Sequence, residues 1–246
     1  MNTGPSDTAV RPSWRGPLAL SDTRLTRLLL WCGVIGPLLF IVAFLLEGAT
    51  RPNYSAWRDY VSDLSLSNQG WEQIANFLVC GLLCVAFAWG LRRALGSGKG
   101  ATWGPLLLAV FGVSLVIAGI FVTDPNLGYP PGALLGGPQT VHGTIHGVNG
   151  LIAFGSVAAA AFVLARRFAG DARTRGWMVY SLISGALVVL GFIGSTVFSV
   201  LDERGILPNA PTGLIQRIGI IAGWGWVALL AYRLLRTASR PGAARS

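Results

Sequence analysis

Residues 28–46 read LLLWCGVIGPLLFIVAFLL, nineteen positions without a charge. A helix needs about 20 mainly apolar residues to cross a hydrocarbon core roughly 30 Å thick. The run is long enough to span a bilayer and too long for the apolar core of a signal peptide, so it reads as an uncleaved anchor. Five further stretches meet the same test, and together they predict spans at about 28–47, 73–93, 104–123, 140–165, 176–201 and 212–235. The fourth starts late in its uncharged run because Pro130, Pro131 and Pro138, with several glycines, mark residues 125–139 as loop. The expected fold class is all-α, a polytopic integral membrane bundle of six transmembrane helices. Residues 1–27 are expected to form a flexible N-terminal tail, 28–235 the membrane domain and 236–246 a basic C-terminal tail.

Composition points the same way. Hydrophobic residues make up 52% of the chain and charged residues 12%, with a mean hydropathy of +0.58. A soluble domain carries about 25% charge, so a water-facing globule is excluded, as are disordered, collagen-like and disulfide-scaffold classes. Of the three cysteines, Cys80 and Cys84 lie one helical turn apart inside a span and read as small packed residues rather than a redox pair.

The net charge of +9 is a topology signal. Fifteen of the 19 basic residues fall in the two tails and in the connections after the second and fourth spans; Arg51, Arg58, Arg204 and Arg217 fall at the other end. By the positive-inside rule both termini are cytoplasmic. Seven of the ten acids lie on the opposite, outer side. Nucleic-acid binding thereby loses its support, and the lipid bilayer is the expected partner. Basic residues are arginine everywhere except Lys99, and Ala and Gly are abundant; this usage suggests a bacterial chain and hence the bacterial cytoplasmic (inner) membrane.

Helices in lipid associate through small residues that let backbones approach. Gly143 and Gly147, Gly219 and Gly223, and Gly112 and Gly119 are expected to pack against neighbouring helices. Each outward helix is followed by a Pro-Asn pair (Pro52-Asn53, Pro125-Asn126, Pro208-Asn209), which is stop-and-turn chemistry.

The outer connections mix acids, arginines, histidines and aromatics. In the first, Ser55 is placed to cap a short helix carrying Trp57, Tyr60, Val61 and Leu64 at helical spacing. His142 and His146 stand four apart on one helical face, and Asp124 ends the preceding span on the same side. Two histidines and a carboxylate with an open position suit a divalent metal that activates water; the same groups also suit a non-metal ligand or plain hydrogen bonding at a helix end. A charge such as Arg217 is costly within a bilayer unless it snorkels or pairs. The candidate ligand-binding cluster is Arg51, Arg58, Asp59, Asp63, Asn76, Asp124, His142, His146 and Arg217. Three functions stay open: a bundle whose outer polar pocket binds a lipid headgroup or small polar ligand, with an arginine pairing an anion; a metal-dependent membrane hydrolase on His142, His146 and Asp124, with Asp59 or Asp63 as general base; and an accessory protein that packs against a partner.

The segment Arg51-Pro52-Asn53-Tyr54 leading to Asp59-Tyr60-Val61-Ser62-Asp63-Leu64-Ser65, with Asn76-Phe77 opening a helix that carries Gly81, resembles the bacterial six-helix membrane family known as domain of unknown function 998. Gly119-Ile120-Phe121 ending in Asp124-Pro125, and His142-Gly143 to His146, are similar to later landmarks of that family. The resemblance implies a six-helix integral membrane architecture over about residues 28–235 and carries no established activity.

Overall fold

The computed structural model describes residues 23–238. The two ends of the chain, 1–22 and 239–246, lie outside the described residues and take with them most of both expected tails. Six long helices form the molecule: α1 Thr23–Thr50, α2 Gly70–Leu95, α3 Trp103–Ile120, α4 Val141–Phe168, α5 Arg175–Glu203 and α6 Thr212–Ala238. All six are apolar and long enough to cross a membrane, and no strand occurs among the described residues. A helix is the local solution here because lipid offers no hydrogen bond to an open backbone. The protein is a multi-pass membrane protein of the all-α class, and its spans imply a bilayer environment.

Most helices outrun their uncharged stretches, since their polar ends extend beyond the hydrocarbon. The third behaves differently and stops at Ile120, three residues before the expected end at 123. Pro125 has no N–H to give the Phe121 carbonyl, and its ring would clash with that carbonyl in a continued helix; the carbonyl meets His146 Nδ1 instead. Pro37 lies inside α1, which remains one helix from Thr23 to Thr50.

Each helix packs on its neighbours in sequence, and α6 returns to α1 and closes a ring. The half of this ring nearest the basic connections is solid. Leu30, Phe87, Leu91, Leu108, Leu164 and Leu230 are buried there with Trp226, whose Nε1 donates to Ser181 Oγ at 3.0 Å. Arg167 closes this end by donating to the carbonyls of Leu95 at the end of α2 and of Ser97 and Lys99 beyond it.

Two crossings fix how close the helices lie. A Cβ added to Gly81 of α2 would sit 2.7 Å from the Gly112 oxygen of α3, and one on Gly112 would sit 2.7 Å from the Gly81 oxygen. On the other side of the ring a Cβ on Gly191 of α5 would stand 2.7 Å from Cα of Gly219 in α6. Gly112, Gly119, Gly219 and Gly223 thus do face neighbouring helices. Gly147 does not, because a Cβ there would meet nothing within 4 Å. Gly81→Leu is expected to force α2 and α3 apart at a cost of about 1–3 kcal/mol, read as a lower melting temperature in detergent. Gly155→Leu, at an exposed position with open space around it, should not lower the melting temperature.

Candidate functional site

The loop between α1 and α2, residues 51–69, lies over the end of the ring away from the basic connections, and three arginines hold it. Arg51 bonds to Glu72 at 3.1 Å, to the Gln69 carbonyl and to Ser67 Oγ, with Glu47 3.7 Å away; it staples the end of α1 to the start of α2. Arg58 makes a two-pronged pair with Asp202 of α5, at 2.6 and 2.8 Å. Arg217, buried near the start of α6, donates to the carbonyls of Ala56 and Asp59 at 2.8 and 3.0 Å and to the Tyr54 hydroxyl, with its guanidinium 5.4 Å from the Tyr54 ring centroid. Its partners are carbonyls and a phenol rather than a carboxylate.

The loop is also tied to the helix ends through its backbone. Gly213 and Leu214 N–H donate to the Arg58 and Trp57 carbonyls, so the first amides of α6 are satisfied by the loop. Val61 N–H donates to Gln216 Oε1 at 2.8 Å, Tyr60 hydroxyl to the Ser195 carbonyl at 3.1 Å and Trp57 Nε1 to the Asn209 carbonyl at 3.0 Å. The helix expected after Ser55 is shorter than its spacing suggested. Asp59 Oδ2 accepts Ser55 N–H at 2.7 Å, which makes a turn, and only Val61–Ser65 follows as a 3-10 helix. Asn53 and Asn209 both adopt left-handed backbone (φ 59°), the turn role read from their Pro-Asn pairs, whereas after Pro125 it is Leu127 that does so (φ 52°).

Under the loop, the ring is hollow. A cavity of about 430 Å³ runs down its centre. Along α4 its lining extends from Gly143 to Val157, about 21 Å of helix at the usual rise, which carries it to the middle of the bundle. Its floor is aromatic: Phe40 and Phe111 each lie 5.1 Å from Trp224, centroid to centroid, and Phe77 lies 5.7 Å from Phe40. Its upper wall is polar, with Asp124, Asn126, Gln139, His146, Glu203 and Gln216. Among the described residues this lining holds two carboxylates and neither lysine nor arginine.

Of the nine residues expected to form a polar cluster, the structure places Asp124 and His146 on the cavity and the other seven elsewhere. Asp124 caps α4: its two oxygens accept Thr140 N–H and Thr140 Oγ1–H, both at 2.7 Å, and Thr140 Oγ1 in turn accepts Gly143 N–H. Gly143 is required there, since a Cβ would collide with the carboxylate. His146 Nδ1 lies 2.8 Å from the Phe121 carbonyl, so that nitrogen carries the proton. His142 is exposed and its ring lies against Phe121, 5.2 Å between centroids. Among the described residues no three His, Cys, Asp or Glu are grouped as metal ligands, so the geometry does not bring His142, His146 and Asp124 together as such a set. Asn76 Nδ2 bonds to the Phe40 carbonyl and Gln73 Oε1, joining α2 to α1.

One cavity residue outside that cluster carries more information. Asn149, buried at 5% exposure, donates from Nδ2 to the Ser114 carbonyl at 2.8 Å, and its Oδ1 has no partner. That bond fixes the amide's orientation and leaves an acceptor whose lack of a partner costs about 1–3 kcal/mol. The sequence offers a cue in its position, one turn beyond His146 on nearly the same stripe.

A closed ring of six membrane helices, hollow at one end and partly covered there by an arginine-held loop, defines a class of multi-pass membrane bundle. The chain belongs to the family described as Protein of unknown function (DUF998), which matches residues 34–233. No curated protein and no solved structure matches it.

The loop itself contains a titrating group with a definite sign. Asp63 is fully buried; its Oδ2 accepts Tyr60 N–H at 2.8 Å and its Oδ1 has no partner. Burial holds its carboxyl well above the usual carboxylate range, and burial raises Asp59 as well. A raised folded-state value means that the folded protein holds the proton more tightly than the unfolded chain. The associated stability is complete below about pH 4 and is lost as pH rises towards the folded value. Asp63→Asn should therefore flatten the fall in melting temperature between about pH 4 and 8 and leave the variant at least as stable as wild type at the upper limit. Parallel profiles for the two proteins would contradict this.

Proposed function

We propose that the protein binds an amphipathic small molecule in the central cavity, with its apolar body against the aromatic floor and its polar head among the groups of the upper wall. The observation that carries the reading is Asn149 Oδ1, a buried acceptor without a partner on the wall of a cavity whose volume lies within the range of small-molecule sites. The head should donate hydrogen bonds and be neutral or cationic. Arg51, Arg58 and Arg217, the residues suited to an anion, are engaged with the loop, while Asp124 and Glu203 line the wall. The basic connections support an orientation with both termini in the cytoplasm, which turns the hollow end outward, and arginine-rich usage supports a bacterial cytoplasmic membrane as its location.

The test uses a photoreactive palmityl alcohol in nanodiscs containing the purified protein, with crosslinks mapped to peptides. Labelling should fall on cavity residues of α4 and α6. Val157→Trp, which fills the cavity just above the floor, should abolish it, and Asn149→Ala should weaken it roughly fivefold, the loss of about 1 kcal/mol of hydrogen bonding. A photoreactive palmitate, carrying an anionic head, should label less. Crosslinks confined to lipid-facing positions such as Ile152 and Ile193 would sink the reading.

A further inference from the structure

We propose that the cavity is reached sideways from the bilayer, through a window between α4 and α5, so that its occupant is a single-chain lipid dissolved in the membrane. This rests on the binding reading above and adds the route and the ligand class. Gly143, Gly147 and Gly150 form one stripe of α4 along the cavity. Gly147 lines the interior and is also exposed, with open space where a Cβ would point. Opposite it on α5, Thr196 likewise lines the cavity and is exposed. Residues that belong to both an interior wall and an outer surface mark a break in that wall.

The break has limits. Towards the basic end Phe154 of α4 stacks on Phe192 of α5, with ring centroids 5.0 Å apart, and further along a Cβ on Gly185 would stand 2.5 Å from the Phe162 ring. Towards the loop end Pro125, Gly136, Gln139 and Glu203 also line the cavity and are exposed, so the break continues up to the loop between α3 and α4, and the lateral window is the part of it that lies between the two helices. Gly147 lies within the first two turns of α4, which places the window in one leaflet. It is flanked by exposed Val148, Leu151 and Ile152 on α4 and by Ile193, Val197 and Val200 on α5, the side chains of a lipid-facing surface. Glycine is the poorest helix former after proline, and Gly147 does not repay that weakness by packing against a neighbouring helix. Asn149, about 200° round the helix from Gly147, lies on the α3 flank of the cavity lining, where its unpartnered oxygen gives the polar head of a lipid that has passed the window a place to bond.

The experiment follows the time course of labelling by the photoreactive palmityl alcohol after donor vesicles of phosphatidylcholine are mixed with nanodiscs containing the protein. Gly147→Phe should slow the appearance of cavity crosslinks roughly tenfold while the final extent is kept, the signature of a blocked route. Gly155→Phe places the same side chain on the same helix at an exposed position outside the cavity and should leave the rate unchanged; it guards against a general effect of the substitution. Labelled wild type with an unchanged rate in Gly147→Phe would overturn the lateral route and leave the binding reading intact. A final extent that falls in step with the rate would overturn it too, because the new ring would then be filling the cavity. Wild type without cavity labelling at any time would remove the binding reading and the route with it.

Discussion

The loop end of the molecule depends on a buried guanidinium. Arg217 sits near the start of a membrane helix, where an isolated charge is costly. It is tolerated because the loop between α1 and α2 folds so that the Ala56 and Asp59 carbonyls and the Tyr54 hydroxyl converge on it. The dependence is mutual, since the guanidinium in turn supplies the donors that the Ala56 and Asp59 carbonyls accept. Gly213 belongs to the same arrangement, for a Cβ there would stand 2.3 Å from the Asp59 oxygen and hold the loop away. With Arg58 on Asp202 and Arg51 on Glu72, three of the four arginines of this end are spent on architecture.

That architecture produces an asymmetric bundle. At the basic end large aliphatic and aromatic side chains fill the ring, and buried residues such as Leu91, Leu164 and Trp226 leave it solid. At the loop end Gly147 and Gly150 of α4 line the cavity with no close neighbour where a Cβ would point, and the space that larger side chains would occupy stays open above Trp224. Dense packing is the rule in protein interiors, so a void reaching halfway through the spans has to be maintained by rigid surroundings. The loop and its ion pairs supply that rigidity without filling the space.

Much of the fold was legible because each span obeys a simple length and polarity rule. Six apolar runs, the last carrying Arg217 and Arg233 near its ends, correspond to six helices, and the family resemblance agrees with the match over residues 34–233. Helix ends were less legible where local backbone rules intervene, as before Pro125. The site was legible only in part. Residue type flagged Asp124 and His146, which do line the cavity, but it also flagged Arg51, Arg58 and Arg217, whose partners lie up to 163 residues away in the chain. Charge marks a residue that needs a partner, and sequence does not say whether that partner is the protein or a ligand. The cavity itself left almost no trace in composition, because a wall of glycine, alanine and phenylalanine reads like any packed helix face. Asn149 became informative only when one of its two amide atoms was found bonded and the other not.

Closure of the ring between α1 and α6 also orders events during synthesis. The loop that lies over the cavity is made early, whereas Gln216 and Arg217, which hold it, emerge about 150 residues later. At ordinary elongation rates that interval is on the order of ten seconds or more. Throughout it, Asp59, Asp63 and the open carbonyls of the loop must remain in water, and the half-built ring stands with a gap where α6 will lie. The cavity is thus the last part of the molecule to come into existence, completed when the final helix arrives.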